Sequence, residues 1–79
     1  GLRQNLQFSM ERTEVQKTNM KLSEKALQLA QKRYQFGAGT FLEVNDAELT
    51  YTQARLNWLQ AVSDYKTTFY NYQLLLGND

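Results

Sequence analysis

Along the second half of the chain, Val44, Ala47, Tyr51, Ala54, Trp58, Ala61, Tyr65, Thr68, Tyr72 and Leu75 alternate steps of three and four residues. Such spacing keeps one stripe of side chains on one face of an α-helix and is the heptad seam of a coiled coil, here with aromatic residues at one position and small residues at the other. In the first half, Phe8, Val15, Leu22, Leu29 and Phe36 recur every seven residues, with Asn5, Arg12, Asn19, Ala26 and Arg33 at the intervening seam positions. The residues from Leu2 to Phe36 are mostly strong helix formers, with nothing to break the run. Two long helices are expected.

Punctuation between them falls in one place. There is no proline, and the four glycines are Gly1, Gly37, Gly39 and Gly77. Gly37 stands where a left-handed residue would end a helix, and Lys32 and Arg33 put positive charge on the last turn, where the helix dipole favours it. Thr40-Phe41-Leu42-Glu43 then fits a capping box, with the Thr40 hydroxyl on the Glu43 N–H and the Glu43 carboxylate returning to the Thr40 N–H. The fold class is therefore all-α: two long antiparallel helices forming a coiled-coil hairpin, roughly 2–36 and 41–76, with the turn at 37–40 and Gly77 closing the second helix. At 1.5 Å per residue each arm would be about 50 Å long.

If the chain folds back at the glycines, residues whose numbers add to about 77 face each other. Leu29 then meets Ala47, Leu22 meets Ala54 and Val15 meets Ala61, while Tyr51 lies over Ala26, Trp58 over Asn19 and Tyr65 over Arg12. Large faces small, as close packing requires, and Arg12 could stack on the ring of Tyr65. A lone hairpin should be polar outside its seam. Here Leu42, Leu49, Leu56 and Tyr70 lie across the second arm from its seam, Leu6, Met20, Leu27 and Tyr34 form an outer row on the first, and Val62, Phe69 and Leu76 add a flanking row. Rows repeating every seven residues predict burial against further helices, in a bundle, a homo-oligomer or a closed ring.

Composition narrows the chemistry. Seventy-nine residues, 42% hydrophobic and 22% charged, are too few for a core of ordinary domain size, so stability must come from long packed helices or from partners. Cysteine and histidine are both absent, which removes disulfides, the usual zinc ligands, thiol catalysis and the commonest general base. No enzyme is expected, nor any catalytic, cofactor-binding or metal-binding residue. Glu11 with Glu14, and Glu43 with Asp46, read as solvated helix faces and caps. A net charge of +1 with interspersed signs gives no footprint for nucleic acid or an anionic membrane surface. Apolar runs such as Leu74-Leu75-Leu76 are far shorter than the roughly 20 residues of a spanning helix. The opening Gly1-Leu2-Arg3-Gln4 has no signal-peptide apolar region, so the expectation is either a cytoplasmic protein or a piece of a longer secreted chain.

At the turn the sequence reads Arg33-Tyr34-Gln35-Phe36-Gly37-Ala38-Gly39-Thr40-Phe41-Leu42-Glu43-Val44-Asn45-Asp46-Ala47-Glu48. This resembles the hairpin signature of the TolC family of outer-membrane efflux proteins, in the second repeat of those chains. Ala54-Arg55-Leu56, Ala61-Val62-Ser63-Asp64-Tyr65 and Leu74-Leu75-Leu76-Gly77 look like the same family's continuation, so that the likeness covers most of residues 33 to 77. Residues 2 to 32 are compatible with it but carry no motif of their own.

The resemblance implies that residues 1–79 are a single helical-hairpin fragment of a larger trimeric channel in the outer membrane, with this segment in the periplasm. A β-barrel part, not represented in this chain, would supply the contact with the membrane. The implied partners are a periplasmic adaptor protein, an inner-membrane pump or type I secretion system, and further copies, with a dimer or bundle expected of this segment alone. Phe36, Gly37, Ala38, Gly39 and Thr40 would form the adaptor-docking tip. Tyr34, Glu43 and Asp46 match positions at the family's closed entrance, where three copies of each carboxylate would make a charged constriction. The chain departs from the pattern at the tip and beside it: Phe36-Gly37-Ala38 stands where the family's best-defined tip has Val-Gly-Thr. Gly39 stands where an arginine latch would be, and Asn45 replaces the leucine of the helix-start motif. The competing readings are a periplasmic adaptor hairpin, against which the Leu42–Ala47 signature argues, and a generic coiled-coil scaffold or oligomerisation module.

Overall fold

The computed structural model describes residues 1–77, which form α1 (Leu2–Gln35) and α2 (Phe41–Gly77). Each helix runs unbroken over its 34 or 37 residues, as expected of stretches without proline or internal glycine punctuation. The chain reverses between them into a rod of 65 × 14 × 13 Å. The expected boundaries hold to within one residue at each helix end, with Phe36 as the cap of α1 and Gly77 still helical.

On α2 the seam lies mostly where the heptads put it. Val44, Ala54 and Ala61 are buried, and Ala47, Tyr51, Trp58, Tyr65, Thr68 and Tyr72 are half-buried, while Leu75 at the open end is exposed. On α1 the structure reverses the expectation. Phe8, Val15, Leu22, Leu29 and Phe36 are all exposed, as are Asn5, Arg12, Asn19, Ala26 and Arg33. The half-buried face is instead Leu6, Thr13, Met20 and Leu27, together with Ser9, Gln16, Ser23 and Ala30. Leu6, Met20 and Leu27 were expected to point outward, and of that row only Tyr34 is exposed.

The register shows why. Thr13 Oγ1 donates to the Ala61 carbonyl at 3.3 Å, Arg12 Nη1 meets Asp64 Oδ2 at 2.9 Å, and Tyr51 Oη donates to Glu24 Oε2 at 3.5 Å. Facing residues thus have numbers that add to 74–76 rather than 77. In the Thr13–Ala61 register, Tyr51 stands opposite Ser23, Trp58 opposite Gln16 and Tyr65 opposite Ser9, while Met20 stands opposite Ala54 and Leu27 opposite Ala47. Large still faces small except where Trp58 meets Gln16, and the row that receives the aromatics is the one with two serines. The rejected seam would have carried Arg12 and Arg33 into the interface, where desolvating each guanidinium is costly without a partner. In the observed fold Arg12 sits at the rim and pairs with Asp64, and Tyr65 stacks on Phe69 one turn along its own helix at 6.0 Å, not on Arg12.

The seam is thin. The only buried residues among those described are Val44, Ala54 and Ala61, and Ala61, at 1% exposure, is the most completely buried of them. Trp58 Nε1 is also buried there and has no hydrogen-bond partner.

Candidate docking tip and outer rows

The tip is built by the end of α1. Gly37 has φ +75°, the left-handed conformation that costs an ordinary L-residue about 1–2 kcal/mol. With that residue in place, the Gly37 N–H donates to the Tyr34 carbonyl at 3.1 Å and the Ala38 N–H to the Arg33 carbonyl at 2.8 Å. These two bonds are the Schellman motif, which satisfies carbonyls that the end of a helix would otherwise leave open. The Gly39 N–H shares the Arg33 carbonyl at 3.0 Å.

The start of α2 is capped by Thr40, whose Oγ1 accepts the Glu43 N–H at 3.1 Å. Only this half of the expected capping box forms. Among the described residues no bond returns from the Thr40 N–H to the Glu43 carboxylate, which lies instead 4.0 Å from Arg33 Nη2. The same guanidinium donates to the Ala38 carbonyl at 3.2 Å. A competing cation one turn before the glycine has drawn the carboxylate across the turn. Tyr34 meets Phe41 edge to face at 6.0 Å, tying the last turn of α1 to the first residue of α2.

The structure therefore gathers the expected tip residues Phe36, Gly37, Ala38, Gly39 and Thr40 at one end of the rod, with Phe36 at 80% exposure. Tyr34, Glu43 and Asp46 are exposed beside them. The two carboxylates differ: Glu43 faces Arg33, whereas Asp46, one turn further along α2, has no ion pair among the described residues. One contributor was given another role by the sequence reading and one was missed. Arg33 was placed in the seam but serves the loop, and Phe41 supplies the ring on which Tyr34 packs. A cation four residues before a helix-ending glycine was the available signal for the first.

Behind the tip, apolar rows run along the outside of both helices. Phe8, Val15, Leu22 and Leu29 line α1, and Leu42, Leu49, Leu56 and Tyr70 line α2, all exposed. At 100° per residue, the Leu22 row lies about 160° around α1 from the half-buried Met20. Each helix thus shows one apolar stripe to its partner and another away from it. Among the described residues no helix is long and apolar enough to cross a membrane, and no group of acidic side chains is placed to hold a metal ion.

A family model described as outer membrane efflux protein matches residues 4–78. No curated protein and no solved structure matches the chain.

Proposed function

This chain belongs to the outer membrane efflux protein family, and we propose on that premise that it is a periplasmic coiled-coil segment of an efflux or type I secretion channel. Its role is passive in chemistry. The hairpin forms part of the wall of the channel's periplasmic α-barrel, and its tip, Phe36 to Thr40, is the docking end for a periplasmic adaptor linked to an inner-membrane pump. Residues 1–79 would then be one hairpin of a longer chain whose parent assembles as a trimer.

The observation that carries this reading is the second set of apolar rows. A free-standing hairpin gains nothing from exposing Phe8, Val15, Leu22 and Leu29 on one arm and Leu42, Leu49 and Leu56 on the other. In a barrel wall every helix has a neighbour on each side, so two stripes per helix are required. The match to the channel family favours this over an adaptor hairpin or a generic scaffold. Tyr34, Glu43 and Asp46 would stand at the entrance, and of the two carboxylates Asp46 is the one with no ion pair among the described residues.

Two measurements test the proposal. The isolated chain should self-associate through its outer rows, so that sedimentation equilibrium shows dimers or larger bundles, and Leu22→Lys with Leu49→Lys shifts it to monomer without loss of helix. The full-length protein should restore dye extrusion to a bacterial strain lacking its own outer-membrane channel. A strict monomer before substitution, or extrusion that survives replacement of residues 36–40 by a flexible linker, would remove the basis of the reading.

A further inference from the structure

Arg33 makes more ties to the tip than any other residue. Its carbonyl accepts the Ala38 N–H at 2.8 Å and the Gly39 N–H at 3.0 Å, and its Nη2 donates to the Ala38 carbonyl at 3.2 Å. The same Nη2 lies 4.0 Å from Glu43 Oε2. Ala38 is thus held through both its N–H and its carbonyl by one residue of α1. Gly39 fits into the space that remains. A Cβ there would meet Glu43 Oε2 at 2.8 Å and Arg33 Cβ at 3.1 Å, so the side chains of residues 33 and 43 close over the glycine from both helices.

We propose that Arg33 is the positioning residue of the tip: its guanidinium holds the Gly37–Thr40 loop in one conformation and draws the Glu43 carboxylate toward itself. The consequence for docking rests on the channel reading above. A partner that meets a loop already in shape loses less conformational entropy on binding, so Arg33 would favour docking without touching the partner. Glu43 leans toward the turn, which leaves Asp46 as the acidic group with no cation beside it among the described residues.

The clamp is exposed, with Arg33 and Glu43 side chains at 52% and 51% accessibility, so each tie is weak and the loop is held by their combination. Both contacts are made by the single nitrogen Nη2, so lysine in place of Arg33 keeps the charge and a donor but carries them on a strongly hydrated, flexible ammonium without the guanidinium's fixed plane.

The test is residue-resolved amide hydrogen exchange on the chain as it stands, comparing wild type with Arg33→Ala, Arg33→Lys and Glu43→Gln. Arg33→Ala is expected to speed exchange at the Ala38 and Gly39 N–H by about fivefold, the factor for one modest hydrogen bond. Exchange along the seam around Thr13 and Ala61 should be unchanged, Arg33→Lys should fall in between, and Glu43→Gln should have the smaller effect of losing a 4.0 Å exposed pair. Unchanged exchange at Ala38 and Gly39 in Arg33→Ala would overturn the proposal. Uniform acceleration along both helices would overturn it as well, since Arg33 would then serve overall stability. No partner is present in this measurement, so its outcome is independent of whether the tip docks an adaptor.

Discussion

Replacing Ala61 by leucine tests the seam where it is tightest. Ala61 is 1% exposed, and its carbonyl lies 3.3 Å from Thr13 Oγ1 on the opposite helix, so three further carbon atoms have nowhere to go. Alanine and leucine are both strong helix formers, and the change therefore reads out packing between helices, not propensity within one. Overpacking of this kind costs about 1–3 kcal/mol. For a unit of this size each kcal/mol lowers Tm by about 4–8 °C, so a fall of at least several degrees is expected. Leu22→Ala is the matched control. Leu22 is 59% exposed, and its loss should change the stability of the single hairpin by less than about 0.5 kcal/mol. Thermal melts followed by far-ultraviolet circular dichroism, over a dilution series that separates folding from association, measure both. If Leu22→Ala is the damaging change at high dilution and Ala61→Leu melts like wild type, the seam runs through Leu22 and the observed register is wrong.

Other outcomes follow from the same geometry. Gly37→Ala should destabilise the hairpin by about 1–2 kcal/mol in a urea titration, because alanine resists the φ of +75° that the turn requires. Arg12→Ala and Asp64→Asn, each removing one side of an interhelical pair at 2.9 Å, should show a coupling below about 1 kcal/mol in a double-mutant cycle, shrinking further at high salt, since both side chains are more than two-fifths exposed. Spin labels at Gln4 and Gln73, with unlabelled protein in excess, should report a separation within about 20 Å, against roughly 100 Å for one continuous helix at 1.5 Å per residue.

The two helices, the turn and the α2 seam were legible because their signals had no rival. Aromatic and small residues alternate along one face of α2, and the only internal glycines are Gly37 and Gly39. The seam of α1 was not legible from periodicity, because α1 carries two apolar rows with the same period of seven. Phe8, Val15, Leu22 and Leu29 are the more hydrophobic set, and for that reason the misleading one. What decides is the company each row keeps. Leu6, Met20 and Leu27 are flanked by Ser9 and Ser23, which leave room for Tyr65 and Tyr51, and by the uncharged Gln16 opposite Trp58, whereas the other row brings Arg12 and Arg33. On the proposed channel reading, the hydrophobic row on the outside is the one that neighbours absent from a single hairpin would cover. At the tip, Gly37 and the Thr40 cap were readable from residue type alone. The turn of Glu43 toward Arg33 was not, since a capping box and a cation across the turn compete for one carboxylate and only the three-dimensional loop shows which is nearer.

The central claim is that the exposed rows are covered by neighbouring helices in the assembled channel. It is tested most directly with single cysteines at Leu22, Leu49 and, as a reference, the polar-face residue Lys21, in a chain segment that has no cysteine of its own. Their reaction rates with a water-soluble maleimide would be measured in the isolated chain at high dilution and in the full-length protein in the outer membrane. The account predicts that all three react readily in the dilute chain, and that Leu22→Cys and Leu49→Cys become protected in the assembled protein while Lys21→Cys does not. Equal reactivity of Leu22→Cys and Leu49→Cys in both settings would contradict it.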